Sequence, residues 1–291
     1  MTAVVVVNPT KVKPAEHDVL VRALAHEGVA DVSFQETTVD DPGIGQSRAA
    51  VESGADLVIA WGGDGTVMAC VTGMAGSDTP LAIVAGGTGN LLARNLDIPL
   101  DLIEGVRVAV HGRRRRVDVG IVGEEKFAVM AGIGFDAAML RDASEKAKAR
   151  VGPVAYVFSG LSNLNDHGFD CTVTVDDQPP RASRARTVLV GNVGKLQGGL
   201  PVLPDAVPDD GLLDVMVISP RTTLQWVQVA VRVFIRRPHP RHMDTQRGRR
   251  ILIESRTPQP YELDGDVRGE TSRLLCVVQP AALVLCVPLE T

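Results

Sequence analysis

The sequence predicts an α/β domain with a mainly parallel sheet, followed by an antiparallel β-sandwich domain. Three observations carry that expectation. Up to about residue 118, apolar β-branched runs alternate with segments of helical spacing. Beyond it, short apolar runs follow one another closely, divided by turn residues. Three of the early runs end in loops of small and polar residues, where open α/β sheets bind their ligands.

Each element follows from its own pattern. "AVVVVN" (3–8) is continuously apolar, as expected of a parallel strand buried on both faces. "AEHDVLVRALAHEG" (15–28) places Val19, Leu20, Ala23 and Leu24 on one helical stripe and ends at Gly28. A strand over 31–37, a helix with a weak apolar face over 43–55 and a buried strand over 56–61 come next. A helix around 67–74 and the strand "LAIVAG" (81–86) repeat the alternation. The later strands fall at 126–134, 169–177, 186–194, 212–219, 249–255, 273–279 and 282–288. Helical spacing there is confined to 136–150, extending toward 165, and to 221–236. The expected domains are residues 1–119 and 120–291.

Composition narrows the function. A net charge of −5 and 3% aromatic residues argue against nucleic-acid binding. Cys70, Cys171, Cys276 and Cys286 form no CxxC pair and read as small buried residues in a reducing compartment. The opening "MTAVVVVNPT" lacks the basic and long apolar regions of a signal peptide. No run reaches the roughly 18 apolar residues of a spanning helix, so a soluble cytoplasmic protein is expected.

The three loops are "NPTK" (8–11), "GGDGT" (62–66) and "GGTGN" (86–90). Two of them lead directly into helices, whose N-termini offer unpaired N–H groups and partial positive charge to a phosphate. Tight turns without a ligand are the bland alternative, and finding the layout twice counts against it. No G-x-x-x-x-G-K-[ST] is present, and no G-x-G-x-x-G follows the first strand, which disfavours P-loop and Rossmann sites. Asp64 would repel phosphate unless a metal stood between them, and Mg²⁺ binds through one or two carboxylates plus phosphate oxygens. Asp118, in "RRVDVG", is either a second acid facing that site or an ordinary strand-edge residue.

The ordered set "VVVNP", "GGDGTV", "GGTGNLLARNL", "RVDVG", "GIGFDA", "PDAVPDDGLLDV" and "ELDGD" resembles the diacylglycerol kinase catalytic domain family, which includes soluble bacterial lipid kinases and is similar to the sphingosine kinases. The resemblance runs from about residue 3 to 288. It implies ATP bound in a cleft between the two domains, with a lipid hydroxyl as phosphoryl acceptor. By that likeness Asn8, Pro9, Thr10, Lys11, Val12, Thr37, Gly62, Gly63, Asp64, Gly65, Thr66, Val67, Met68 and Thr88 would hold the nucleotide. Asp64 and Asp118 would surround the catalytic Mg²⁺. Asp210, with the carbonyls of Val207 and Leu212, would bind a second, structural metal; a hairpin turn is the plain reading of "PDDGLL" (208–213). Asp266 occupies the general-base position, where most relatives carry Glu, and Leu91 stands where many carry an acid.

"LQWVQVAVRVFIRRPHPRH" (224–242) is apolar around most of a helix and basic at its end, suiting either a buried helix or peripheral contact with a membrane surface. "HGRRRR" (111–116) reads as a solvated loop or a patch for anionic headgroups. The expected activity is ATP- and Mg²⁺-dependent phosphorylation of a lipid, diacylglycerol foremost. Two alternatives stay open: a non-catalytic nucleotide- or lipid-binding relative, and a soluble enzyme resembling NAD kinase, which shares "GGDGT" and would ignore vesicles. A homodimer is compatible with the sequence, which does not require one.

Overall fold

β1 (Thr2–Val7) is buried from Ala3 onward, as its unbroken β-branched run demands. The computed structural model describes residues 1–134, 168–196, 200–220, 225 and 243–289. The chain divides into two units, Met1–Val119 with Gln279–Thr291, and Gly120–Val278.

In the first unit β1 is followed by α1 (Pro14–His26), β2 (Asp31–Glu36), α2 (Ile44–Glu52), β3 (Leu57–Gly62), α3 (Asp64–Met74) and β4 (Leu81–Ala85). α4 (Leu91–Asn95), α5 (Leu102–His111) and β5 (Arg113–Val122) come next. α1 begins where Pro14 fixes φ and Glu16 accepts the Lys13 N–H. The strands pair in parallel in the order β2-β1-β3-β4. Leu20 and Leu24 of α1 and Val106 of α5 pack with Val5, Ile59 and Val84 of the sheet. α5 was not anticipated, although Asp101 caps it by accepting the N–H groups of Ile103 and Glu104. "HGRRRR" is not a loop: His111 ends α5, and the arginines open β5, buried from Val117 to Gly120.

The second unit contains β6 (Glu125–Phe127), β7 (Met130–Ile133), β8 (Phe169–Val175), β9 (Arg181–Ala185), β10 (Thr187–Gly191), β11 (Lys195–Leu196) and β12 (Leu200–Pro201). β13 (Leu213–Ile218), β14 (Met243–Gly248), β15 (Arg250–Leu263) and most of β16 (Asp266–Val287) complete it. Neighbours run antiparallel in the order β14-β13-β10-β7-β15-β16, and β8 joins β15 to β9. Alternate residues of β8 are buried, as expected for a strand with one face on a core. Ile133, Val190, Val215, Ile253 and Leu274 lie in that core.

Two expectations need correction here. The runs at 273–279 and 282–288 are one strand, β16, and its final stretch leaves the second unit. Leu285 pairs in parallel with Leu81 of β4, so 279–291 belongs with the first unit and not with a domain 120–291. Alternation marks a strand but does not say which sheet it joins. The helical segments expected at 136–165 and 221–236, and the membrane-facing candidate 224–242 apart from Gln225, lie outside the described residues. No described helix is long and apolar enough to cross a membrane. All four cysteines are buried and free, and burial pushes the Cys70 and Cys276 thiols up to about 12, which leaves them protonated packing residues.

Candidate active site

Parallel register brings four strand ends to one edge. Val7 pairs with Glu36 and Trp61, and Gly62 pairs with Ala85, so Asn8, Thr37, Gly63 and Gly86 follow their strands at the same carboxyl edge. Asn8 folds its loop locally: its Oδ1 accepts the Thr10 N–H at 3.0 Å and the Thr10 hydroxyl at 2.8 Å. Thr37 donates its N–H to Val7 O and is nearly buried. Pro9, Thr10, Lys11 and Thr88 are exposed on the same edge, and Val12 is half-buried.

The two glycine loops are packed against each other. Gly86 N–H donates to Gly62 O at 2.8 Å. A Cβ on Gly87 would lie 2.6 Å from the Gly63 Cα, and one on Gly62 would lie 2.7 Å from the Thr66 hydroxyl. Gly87 is therefore required by the backbone of the facing loop, and Gly62 by the Thr66 side chain. Gly65 differs: a Cβ there would meet nothing within 4 Å, and the residue is exposed. It stands in the first turn of α3, ahead of the first ladder bond from Val67 N–H to Gly63 O. The N–H groups of Asp64, Gly65 and Thr66 thus precede the ladder, the geometry that receives a phosphate. Val67 is buried and Met68 half-buried in the next turn, where they anchor α3.

Asp64 is the first residue of α3, and its carboxylate reaches the other loop. Oδ2 accepts the Asn90 N–H at 2.9 Å and Oδ1 the Leu91 N–H at 2.5 Å. The acid thereby caps α4 and ties "GGDGT" to "GGTGN". Asn90 completes the tie in a left-handed conformation (φ 48°), its side chain bonded to Gly87 at both N–H and O. Sequence reasoning missed Asn90, although an Asn among glycines before a helix signals this conformation.

Asp118 does not join Asp64. It is buried, and its Oδ1 accepts the Ala281 N–H at 2.8 Å. Ala281 precedes Leu285, which pairs with Leu81 at the start of β4, and Gly76 beyond the end of α3 donates to Ala282 O. Asp118 therefore sits at the amino edge of the sheet, with the length of α3, roughly 16 Å, between it and Asp64. Ligands of one Mg²⁺ stand about 2.1 Å from the ion. The expected shared metal is excluded for this pair, and among the described residues no group of three His, Cys, Asp or Glu side chains is arranged to hold a metal.

In the second unit Asp264 and Gly265 form a tight turn with φ of 51° and 91°, the conformation that makes Asp-Gly a hairpin signal. Asp264 accepts three N–H groups, from Ala128 at 3.0 Å, Val129 at 2.9 Å and Met130 at 2.7 Å, and returns its own N–H to Met130 O. Asp266 follows as the first residue of β16, exposed and opposite Leu263. A fixed turn thus presents an accessible carboxylate. Glu262, also missed, is 4% exposed and lies over Gly132, where a Cβ would be 2.8 Å from its Oε1. Burial first, then the Asp264 and Asp266 charges, push its carboxyl up to about 7, with the Gly265 N–H pulling the other way.

This shift predicts a pH effect on stability. Between its ordinary value of 4.5 and about 7, the folded protein holds a proton that the unfolded chain has lost. Stability therefore falls as pH rises through that window, by roughly 3 kcal/mol. Glu262→Gln should flatten the fall and raise the urea midpoint at pH 8; an unchanged pH profile would show that Glu262 ionises normally.

The loop expected to hold a second metal is bonded within the protein. Asp210 Oδ1 accepts the Leu212 N–H at 3.0 Å, and Val207 is exposed. A guanidinium nitrogen of Arg247 stands 3.8 Å from Asp210 Oδ2.

Comparison with known proteins accounts for this combination of units. Residues 2–122 match the diacylglycerol kinase catalytic domain, and 128–287 match the YegS C-terminal NAD kinase beta sandwich-like domain. The chain belongs to the family of proteins that join these two domains. It is 27% identical to a diacylglycerol kinase of Staphylococcus saprophyticus over 91% of this chain and 89% of that protein. An uncharacterized Synechocystis protein is 27% identical over 81% of this chain, which spans only 56% of that protein's length. A Bacillus anthracis crystal structure superposes with a TM-score of 0.80 at 25% identity, covering 98% of this chain and 97% of that one. The sandwich assignment and the parallel-sheet domain agree with the folds that these matches carry, and the Staphylococcus saprophyticus relative is a diacylglycerol kinase by name.

Proposed function

We propose that this family member is an ATP- and Mg²⁺-dependent lipid kinase, with diacylglycerol as its foremost substrate. The observation that carries the reading is the carboxyl edge of the first unit. There a carboxylate fastens two glycine loops together and leaves the N–H groups around the open Gly65 ahead of the helix ladder. Those N–H groups would receive the phosphates, while Asn8–Val12, Thr37 and Thr88 would border the rest of the nucleotide.

Asp64 fits Mg²⁺ as a single carboxylate. Each of its oxygens accepts one N–H and keeps a further lone pair, and Mg²⁺ is commonly held by one or two carboxylates with phosphate oxygens and water. When bound, the ion neutralises charge on the phosphoryl oxygens. Asp266 would orient the lipid hydroxyl and accept its proton as oxygen bonds to the γ-phosphorus and the bond to the β-phosphate oxygen breaks. Asp264 holds the turn that presents Asp266.

A second reading, nucleotide binding without transfer, is favoured by Leu91: it is buried where an acid would add a charge, and its N–H occupies Asp64. Labelled ATP, Mg²⁺ and vesicles containing diacylglycerol separate the two. Transfer predicts label in an organic-phase lipid, and binding alone predicts none. Asp266→Ala should lower turnover by about 10²–10⁴ with ATP affinity little changed, and Asp266→Glu should preserve activity. Equal losses of turnover and ATP affinity in the alanine variant would remove Asp266 from the base role.

A further inference from the structure

We infer that the guanidinium of Arg247, and not a divalent cation, is the positive charge that fastens the 203–212 loop to the sheet of the second unit. Arg247 on β14 stands directly opposite Asp214 on β13. One of its terminal nitrogens donates to Asp214 Oδ1 at 3.2 Å and to the Asp205 carbonyl at 2.9 Å. The other faces Asp210 Oδ2 at 3.8 Å. A single planar fork thus spans three chain positions, two on the loop and one on a strand. Cross-linking of this kind is what a structural metal supplies to such a loop.

The donor set offers a metal less than the resemblance implies. Asp210 would be its one carboxylate, and Oδ1 of that carboxylate already accepts the Leu212 N–H. An ion on Oδ2 would stand about 2.1 Å from it, within a few ångströms of the guanidinium. Arg247 cannot lose its charge to make room. It also compensates Asp214, whose side chain is only 10% exposed and whose carboxyl burial pushes up against the pull of Arg247.

The test reads stability without nucleotide or lipid, so its outcome is independent of the kinase reading. Thermal unfolding is followed for the full chain after EDTA treatment and after return of millimolar Mg²⁺ or Ca²⁺. Wild type and Asp210→Asn should respond alike to the ions, because no bound metal depends on Asp210. Arg247→Met should lower Tm by roughly 2–6 °C, and Arg247→Lys, which keeps charge without the fork, should recover part of that loss. A metal-induced rise in wild-type Tm that Asp210→Asn abolishes would overturn the inference. So would an Arg247→Met protein as stable as wild type. If the methionine variant fails to fold, the lysine variant and the wild-type ion response still decide.

Discussion

Asp64→Ala is expected to lower phosphoryl transfer at least a hundredfold and to lower stability by about 2–4 kcal/mol. The stability loss arises because two backbone donors, on Asn90 and Leu91, lose a charged acceptor in a half-buried site. Bonds to a charged group contribute about 1.5–3 kcal/mol each, less where water can replace them. The functional loss follows from the same bonds, since without them the two glycine loops are no longer tied together. Asp64→Asn divides the roles. Its amide keeps one acceptor but turns an NH₂ toward the second N–H, so part of the stability should go even as the shape stays. Near wild-type transfer in the asparagine variant would remove the Asp64 charge from the chemistry. Lost transfer without any loss of stability would instead show that the tie to α4 carries no weight.

Asp264→Ala should strongly destabilise the second unit, costing at least about 4 kcal/mol. Three consecutive N–H groups on Ala128, Val129 and Met130 would lose their acceptor in a buried place, at about 1–3 kcal/mol apiece. Alanine also resists the left-handed backbone at φ 51°, adding about 1–2 kcal/mol. Against a total stability of about 5–15 kcal/mol, such a loss leaves the protein close to unfolding at 37 °C. Asp264→Asn tolerates the backbone and keeps one acceptor, so its loss should be about half as large. Urea unfolding measures both, and an alanine variant with a wild-type midpoint would show that the turn is held by something else.

The parallel-sheet unit was legible because buried parallel strands write themselves as continuous β-branched runs, as in "AVVVV" and "DLVIA". "GGDGT" and "GGTGN" were legible as a pair at one edge. Their internal logic was not, because a glycine needed for loop-on-loop contact, such as Gly87, looks in sequence like one that admits a ligand, such as Gly65. Asp64 showed its charge, but its partners Asn90 and Leu91 lie 26 and 27 residues away. Asp118 was misplaced for a related reason. A strand-borne acid looks the same at either end of a sheet, and only the pairing of β16 with β4 shows which end it occupies. Arg247 gave no signal, since contact between β13 and β14 joins it to Asp214 across 33 residues.

Backbone amide hydrogen exchange with and without Mg²⁺ and ATP tests the central claim, a phosphate site at the carboxyl edge of the first unit. Saturating nucleotide should slow exchange at Gly65 and Thr66, which precede the α3 ladder, and across residues 8–12 and 86–91. Protection confined to other segments, with 62–68 exchanging as fast as in the free protein, would contradict it.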